Sequence, residues 1–538
     1  MGIDIMGMAY LYILIISLQH CRAADTLTKD SSISLEQTLV SANQVFELGF
    51  FNPGNSTKRY IGIWYKDIPE RKVIWVANRE NPLSVSDTNS SLIIVNDGNL
   101  RIQDGESNII WSTNVRVQFN ETTAKLTDTG DLALNDTVSG SILWESFDYP
   151  SNSLLPGMKL GTKGKTQGKN LLTSWKSDDD PTTGEFVFGL SDEQPPQAFI
   201  WHGSKPYWRS GPWDGGKFIG IPEQVSGYAS HISLMPENPQ EGAYLVVTNK
   251  YNSYDIRWLY LRPDGVLHLN YRDDDRNKWN FTWRAPENPC DVYGVCGAFA
   301  LCTNKSSICE CLTGFVPQSK DEWSKSNWTR GCVRQSELLC DDENSLTAGK
   351  TKPDEFRVLK GIKVPDHHYH FPNTDTNECQ DLCLSNCSCK AYAYVEGIYC
   401  MVWKEEDLMD IEQFSFGGEN LFLRVSYVES GKCKFLLSSK RVSINFCSCS
   451  QFMFLEDFVY EPNKILGEDT QGAELLISLT TIGGVLLLGG FMFCLYRWTT
   501  YKKGKQIYLV IISVNGEVYI YFDDLQRENT RLYIGKKP

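Results

Sequence analysis

A mainly β, multidomain fold is expected of this 538-residue chain, and three observations carry the expectation. First, apolar and polar residues alternate in short runs through the N-terminal half, with turn residues recurring about every 8–12 positions, as in half-buried strands. Second, a small apolar context around a tryptophan recurs: "IGIWY", "VIWVA", "IIWST" and "ILWES" place Trp64, Trp75, Trp111 and Trp144 alike. Third, twelve of the 17 cysteines fall between Cys290 and Cys400, while the first 289 residues hold only Cys21. A cysteine-poor β region followed by a disulfide-stapled one belongs in an oxidising compartment.

The N-terminus agrees with that compartment. Residues 1–23 read as a signal peptide: Met6–Leu18, "MGMAYLYILIISL", is apolar but too short to span a bilayer, and the small residues Cys21 and Ala23 suit a signal peptidase. N-x-S/T sequons begin at Asn55, Asn89, Asn120, Asn135, Asn280, Asn304, Asn327 and Asn386, all downstream of that leader, and are expected to be N-glycosylated.

Residues 24–150 repeat weakly. "LIIVNDGNLRIQDGESNIIW" and "AKLTDTGDLALNDTVSGSILW" each run strand, glycine turn, strand and tryptophan. A repeat of this kind predicts like sheets assembled symmetrically, with the tryptophans packed at a shared axis rather than stacked on a ligand.

Two clusters invite a metal. "CQDLCLSNCSC" brings four cysteines close together, but an exported chain favours disulfides and the spacing is not that of a zinc finger. "HHYH", His367–His370, lies in "VPDHHYHFPN", which the flanking prolines predict to be an exposed loop. No metal or cofactor is expected. With 52 basic and 66 acidic residues the net charge is −14, which gives a nucleic-acid partner no electrostatic support.

Leu475–Tyr496 carries no charge and would make ~33 Å of helix, enough to cross a bilayer. Glu468, Asp469 and Glu474 precede it and Arg497, Lys502, Lys503 and Lys505 follow, so the N-terminal part is expected outside a plasma membrane crossed once. Beyond it, "IYLVIISVNGEVYIYF" alternates around Asn515-Gly516, a hairpin signal.

Longer motifs resemble a known family. "FELGFFNPGNSTKRYIGIWYKDIPERKVIWVANRENPL" is similar to the bulb-type lectin domain of plant S-domain receptors, the G-type lectin S-receptor-like serine/threonine kinases. "YWRSGPWDG" resembles their S-locus glycoprotein region, "PENPCDVYGVCGAFALC" the entry to their EGF-like module, and "NECQDLCLSNCSCKAYAY" their PAN/apple domain. The resemblance implies a β-prism lectin domain at 24–150, a second lectin-like or S-locus region at 151–285, an EGF-like module at 286–332 and a PAN/apple domain at 340–427. An atypical juxtamembrane segment (428–474), the membrane helix (475–496) and a short tail (497–538) would follow.

By spacing alone the six cysteines from Cys290 to Cys332 leave about fifteen connectivities open. The resemblance implies Cys290–Cys302, Cys296–Cys309 and Cys311–Cys332, then Cys379–Cys400 and Cys383–Cys389, with Cys340 and Cys387 as the leftover pair. The family's kinase motifs are not found after Tyr496, so no catalytic residue is expected in the chain as it stands. The stretches 432–467 and 497–538, unlike the family's linker and kinase, read as a retained intron or a mispredicted gene end. A redox role for Cys447 and Cys449 within the first has nothing nearby to lower a thiol pKa.

Mannose-binding bulb lectins use Q-x-D-x-N-x-V-x-Y on one strand face. Laid on this sequence the pattern falls on Val95, Asp97, Asn99, Arg101 and Gln103, where only Asp97 and Asn99 match. In the next repeat it falls on Thr127, Thr129, Asp131, Ala133 and Asn135, and nothing matches. The expectation is a degenerate sugar site whose polar pair braces the turn around Gly98. By resemblance, the function would be that of a receptor ectodomain recognising an extracellular protein or peptide, as in pollen or self recognition or defence. The alternatives are a membrane-tethered lectin that binds glycan, or part of a receptor kinase. A homodimer, or a heterodimer with a related receptor kinase, would be the expected association.

Overall fold

The computed structural model describes residues 24–426 with short interruptions and, apart from these, the backbone of two strands, Tyr508–Val514 and Glu517–Asp523. The expected signal peptide (1–23), the 432–467 stretch and the apolar run 475–496 lie outside the described residues. Among the described residues, no helix is long and apolar enough to cross a membrane. The chain divides into a unit from Met1 to Leu437 and another from Ser438 to Pro538. In the second, the strands pair antiparallel from Tyr508 opposite Asp523 to Val514 opposite Glu517.

The first unit begins with three sheets of four strands in line, the first of which carries a fifth, Leu83–Ser84, paired with Lys58 and Arg59 off that line. One joins Thr38–Val40, Phe46–Phe51, Lys58–Tyr65 and Val73–Val76. The second joins Ser32–Ile33 to the meander Ser91–Ile94, Leu100–Gln103 and Ile109–Ser112. The third joins Thr26–Leu27 to Thr122–Leu126, Leu132–Asp136 and Ile142–Glu145. The earliest strands are thus dealt to the sheets in reverse order, so the N-terminal segment ties the whole assembly together.

Residues 151–285 repeat that plan. Ser153–Leu154 joins the last sheet (Arg257–Leu261, Leu267–Asp273, Lys278–Ala285), and Leu160–Gly161 joins the middle one. The first sheet is built from Leu172–Ser177, Asp180–Leu190, Gln197–His202 and Lys205–Pro212. The middle sheet departs from the plan: it has three strands, in the order Leu160–Gly161, Gly242–Val247, Ile232–Asn238.

One device recurs in five of the six sheets. An edge-strand tryptophan sits opposite an aliphatic residue: Trp75 opposite Ile63, Trp111 opposite Ile102, Trp144 opposite Leu134, Trp208 opposite Ile200 and Trp283 opposite Leu269. All five aliphatic partners are fully buried. Each pair adjoins a register shift, and such a bulge bends the edge strand inward over the core. In the first assembly the three indoles close a triangle with centroids 6.1, 5.8 and 5.6 Å apart, all edge-to-face. Trp64 is not among them. It points to the opposite face of its strand, packs with Phe51, Tyr60, Val73, Val76 and Trp175, and donates its indole N–H to Glu47. The neighbouring position along a strand faces the other way, so "IGIWY" was a false match to the axis pattern.

A single apolar core runs from Leu27 through Ala285 and serves both assemblies. A second core spans the cysteine-rich segments. Its scaffold is one eight-stranded sheet in which Ala300–Cys302 pairs parallel with Ile411–Gln413, so the two disulfide-rich modules share a sheet. Thr376–Ser385 is a helix started by a capping box between Asp375 and Glu378, and its buried residues are Cys379 and Cys383. "HHYH" is a loop only in its first half, where His367 is exposed in a bend. Tyr369–Phe371 is an edge strand of that sheet, paired with Tyr399–Trp403, and His370 is hydrogen-bonded to the Ile398 carbonyl. Burial of His368 beside Trp403 holds its imidazole down at about 4, so it is neutral.

Candidate functional site

The polar pair of the degenerate lectin pattern lies in a tight turn between strands rather than on one strand face. Val95 N–H donates to Asn99 O and Gly98 N–H to Val95 O, with Gly98 at φ +80°. Thr127, Gly130 and Asp131 form the same turn, and so do Arg262, Gly265 and Val266 in the second assembly. The glycine φ of +80° to +90° in all three explains why "NDGN", "TDTGD" and "PDGV" share it. The third copy escaped sequence reading because Pro263 and Val266 disguise the polar pattern.

Asn99 is 6% exposed and its amide is fully used. Its Oδ1 accepts from Thr113 Oγ1 (3.0 Å) and Val115 N–H (2.7 Å), while its Nδ2 donates to Val115 O (3.1 Å) and Asp97 Oδ1 (3.3 Å). Two acceptor and two donor positions are the whole capacity of an amide. Asp97 Oδ1 also accepts from Asn99 N–H, and its other oxygen is paired with Arg101. Asp131, the counterpart of Asn99, accepts from Ser146 Oγ (2.7 Å) and Phe147 N–H (3.1 Å). Burial raises its carboxyl above the ordinary range against those hydrogen bonds. In both turns the same hydroxyl also receives the next backbone N–H, Leu100 to Thr113 and Leu132 to Ser146.

The second assembly repeats this brace with its end turned elsewhere. Ala198 N–H donates to Ser210 Oγ (2.8 Å), which puts the fully buried Gln197 in the place of Asn99 and Asp131. Gln197 Nε2 donates to Glu193 and to Asp366 (2.9 Å), and its Oε1 accepts from Arg209 (3.3 Å). Arg209, from "YWRSGPWDG", is fully buried and pairs with Asp410 through Nε (2.7 Å), with further bonds to the carbonyls of Val364 and Asp410. Lys363 Nζ lies 3.1 Å from the same Asp410 oxygen, and Asp410 Oδ1 accepts Gly294 N–H (3.0 Å). Tyr293 donates to Asp366 Oδ2 (2.8 Å). Burial would raise the Asp366 carboxyl, but Arg209, Gln197 and Tyr293 outweigh it and hold it at about 2. Burial and Asp366 push the Tyr293 hydroxyl well above its ordinary value. Every charge here is consumed internally, so the cluster fastens the second assembly to the disulfide-rich region and offers nothing to a substrate.

The structure joins Cys290–Cys302, Cys296–Cys309, Cys311–Cys332, Cys379–Cys400 and Cys383–Cys389, with Cα separations of 5.1–5.8 Å. Cys387 is also disulfide-bonded, while Cys340 lies outside the described residues. Cys296, Cys302 and Cys309 lie together, but each is oxidised, so none offers a thiolate to a metal. Glu193, Asp366 and His367 also converge, yet both Asp366 oxygens are already hydrogen-bonded. Of the sequon asparagines, Asn55, Asn89, Asn120, Asn327 and Asn386 are exposed, Asn135 and Asn280 are half-buried, and Asn304 lies outside the described residues.

Three family models match parts of the chain. Residues 72–176 match the D-mannose binding lectin family, 208–319 the S-locus glycoprotein domain and 340–411 the PAN-like domain. None of the three is a kinase domain. The G-type lectin S-receptor-like serine/threonine-protein kinase SD1-29 of Arabidopsis thaliana is 40% identical over 419 residues, 78% of this chain and 51% of that protein. Another Arabidopsis thaliana kinase of the same description is 38% identical over 457 residues, covering 84% and 55%. The chain therefore spans about half the length of the curated relatives it matches. Among solved structures, a monomeric monocot mannose-binding lectin from Gastrodia elata is 18% identical over 23% of this chain and 96% of its own, with a TM-score of 0.18.

Proposed function

We propose, for a chain that belongs to the G-type lectin S-receptor-like kinase family through its lectin, S-locus glycoprotein and PAN-like domains, that it is a receptor-type ectodomain recognising an extracellular protein or peptide. In this reading 1–23 directs export, 286–332 is EGF-like, and 475–496 anchors the chain in the plasma membrane with the lectin domains outside. The observation that carries the choice of ligand class is the saturation of Asn99. Its amide is spent on Asp97, Thr113 and Val115, so a sugar hydroxyl could bind only by breaking bonds that close the turn. Asp131 is equally committed to Ser146 and Phe147. The lectin fold then supplies shape and surface, and recognition acts by occupancy with no chemistry on the ligand.

The full chain, purified in detergent from a secretory host, is to be screened on a glycan array and against extracellular peptides. The expected result is no mannose signal and a peptide or protein signal insensitive to free mannose. Saturable mannose binding abolished by Asn99→Ala would overturn the reading in favour of a tethered lectin. Association is a further part of it. Tyr369, Phe371, Leu382, Leu384 and Tyr399 leave apolar surface exposed on the PAN-like region, which supports a dimer with a second copy or a kinase-bearing relative. Sedimentation of the purified chain as a monomer, with no co-purifying relative, would remove that part.

A further inference from the structure

Beside the two axis tryptophans of the second assembly lies a cavity of about 90 Å³. Trp208 and Trp283, whose ring centroids are 6.0 Å apart, form one part of its wall. The first assembly closes its axis with a third indole, whereas the middle sheet of the second carries none in its edge strand. Phe414 and Phe416 line another side, with Phe416 half-exposed at 53%. Four carboxylates, Glu223, Glu287, Asp291 and Glu412, also line it.

The carboxylates are not equivalent. Asp291 is committed to the backbone N–H groups of Glu287 and Asn288, and Glu223 accepts a hydrogen bond from Trp283. Glu412 is only 3% exposed, and its Oε2 has no hydrogen-bond partner. Lys363 stands opposite it across the strands, but that ammonium lies against Asp410. The one cation in the cavity wall, Arg284, is 3.6 Å from Glu287. Burial, with Asp291, Asp410 and Glu223 nearby, outweighs Lys363 and pushes the Glu412 carboxyl up to about 8. The Lys363 charge, shared with Asp410, does not offset the burial of this carboxyl.

We infer that this cavity binds the cationic end of a ligand side chain, a guanidinium seated against Glu412 between aromatic faces. The volume suits a small headgroup, since pockets for whole drug-sized ligands run to about 300–1,000 Å³. A guanidinium is planar, weakly hydrated and always charged, so it can pair with a carboxylate while its faces lie on tryptophan or phenylalanine. A neutral solute would leave Glu412 as it stands. This names a ligand chemistry for the recognition module proposed above and rests on that reading only for its use at the cell surface.

The test titrates the full chain at low salt with N-acetyl-arginine amide, its neutral isostere N-acetyl-citrulline amide, and N-acetyl-lysine amide, by calorimetry. The arginine probe should saturate one site and the citrulline probe should bind at least about tenfold more weakly. Lysine binding between the two would assign the preference to charge plus shape, and lysine binding above arginine would overturn the guanidinium assignment. Glu412→Gln should lose at least about tenfold for arginine and nothing for citrulline. Should that variant fail to fold, Phe416→Ala at the exposed rim should weaken arginine about threefold or more. Equal binding of arginine and citrulline, no saturable binding, or wild-type affinity in both variants overturns the site. That failure is separable from failure of the receptor reading, which a lack of any extracellular partner would show with the arginine titration intact.

Discussion

The two three-sheet assemblies use one plan for opposite ends. In the first, the residue before the braced backbone N–H is Asn99 or Asp131, and its polar atoms fold back on their own turn. In the second, the same place holds Gln197, one methylene longer than asparagine, and it reaches out to Asp366 and Arg209. The axes differ likewise: three indoles seal the first, and two leave a cavity beside the second. A repeated fold thus keeps its backbone brace and reassigns the side-chain end, from closing a turn to fastening a neighbouring module. Backbone hydrogen bonds must be satisfied in either case, whereas the side chain is free to take another partner.

The largest test of that contrast is Arg209→Met. It leaves Asp410 with Lys363 as its one remaining cation and takes from Asp366 the charge that holds it ionised, and breaking a buried pair from one side costs up to about 3–5 kcal/mol. Thermal unfolding and secretion yield should both fall, and Asp410→Asn added to it should recover part of the loss. A variant as stable as the parent would deny the cluster its fastening role.

The repeated brace itself is addressed next. Thr113→Val in the first assembly and Ser210→Ala in the second each remove the hydroxyl that receives a buried backbone N–H. Each should cost about 1–3 kcal/mol by denaturant titration. A cost in the first assembly and none in the second would break the equivalence drawn between them.

The third test uses pH. The folded-state pKa of Glu412 is raised from 4.5 to about 8, so the folded form holds the proton more tightly than the unfolded chain. Its contribution is greatest below 4.5 and is lost as pH rises through about 8. Glu412→Gln should therefore gain stability relative to the parent between those values, read as a widening difference in melting temperature. A difference that stays flat with pH would mean that Glu412 has a counter-charge.

Asp97→Ala should have the smallest effect, about 1 kcal/mol, since its carboxylate is half-exposed and what is lost is an ion pair with Arg101 and two hydrogen bonds from Asn99 that water can partly replace. A much larger loss would make the outer half of the old sugar pattern structural too.

Local rules made a good part of this legible. Alternation marked the strands, and "VNDGN" and "TDTGD" marked turns that need a glycine at positive φ. The tryptophan of "VIWVA", "IIWST" and "ILWES" marked the axis of the first assembly. The extra match at Trp64 failed because a motif of five letters does not say which strand face the indole occupies, and one residue of offset reverses it. The brace was half legible: Asp97 and Asn99 were read as turn residues, but Thr113 and Val115 were not read as their partners.

By itself, then, the sequence determined what depends on neighbours along the chain: strand period, turn chemistry and the oxidising setting of the cysteines. Tertiary structure alone decided the pairings that give the molecule its character. Arg209 meets Asp410 from 201 residues away, and Gln197 meets Asp366 from 169. Glu412 Oε2 is left without a hydrogen-bond partner where the strand that carries it joins a sheet shared by two modules and lines a cavity walled by a third region. Alternation specifies which face a side chain takes, and only the folded chain specifies what it meets there.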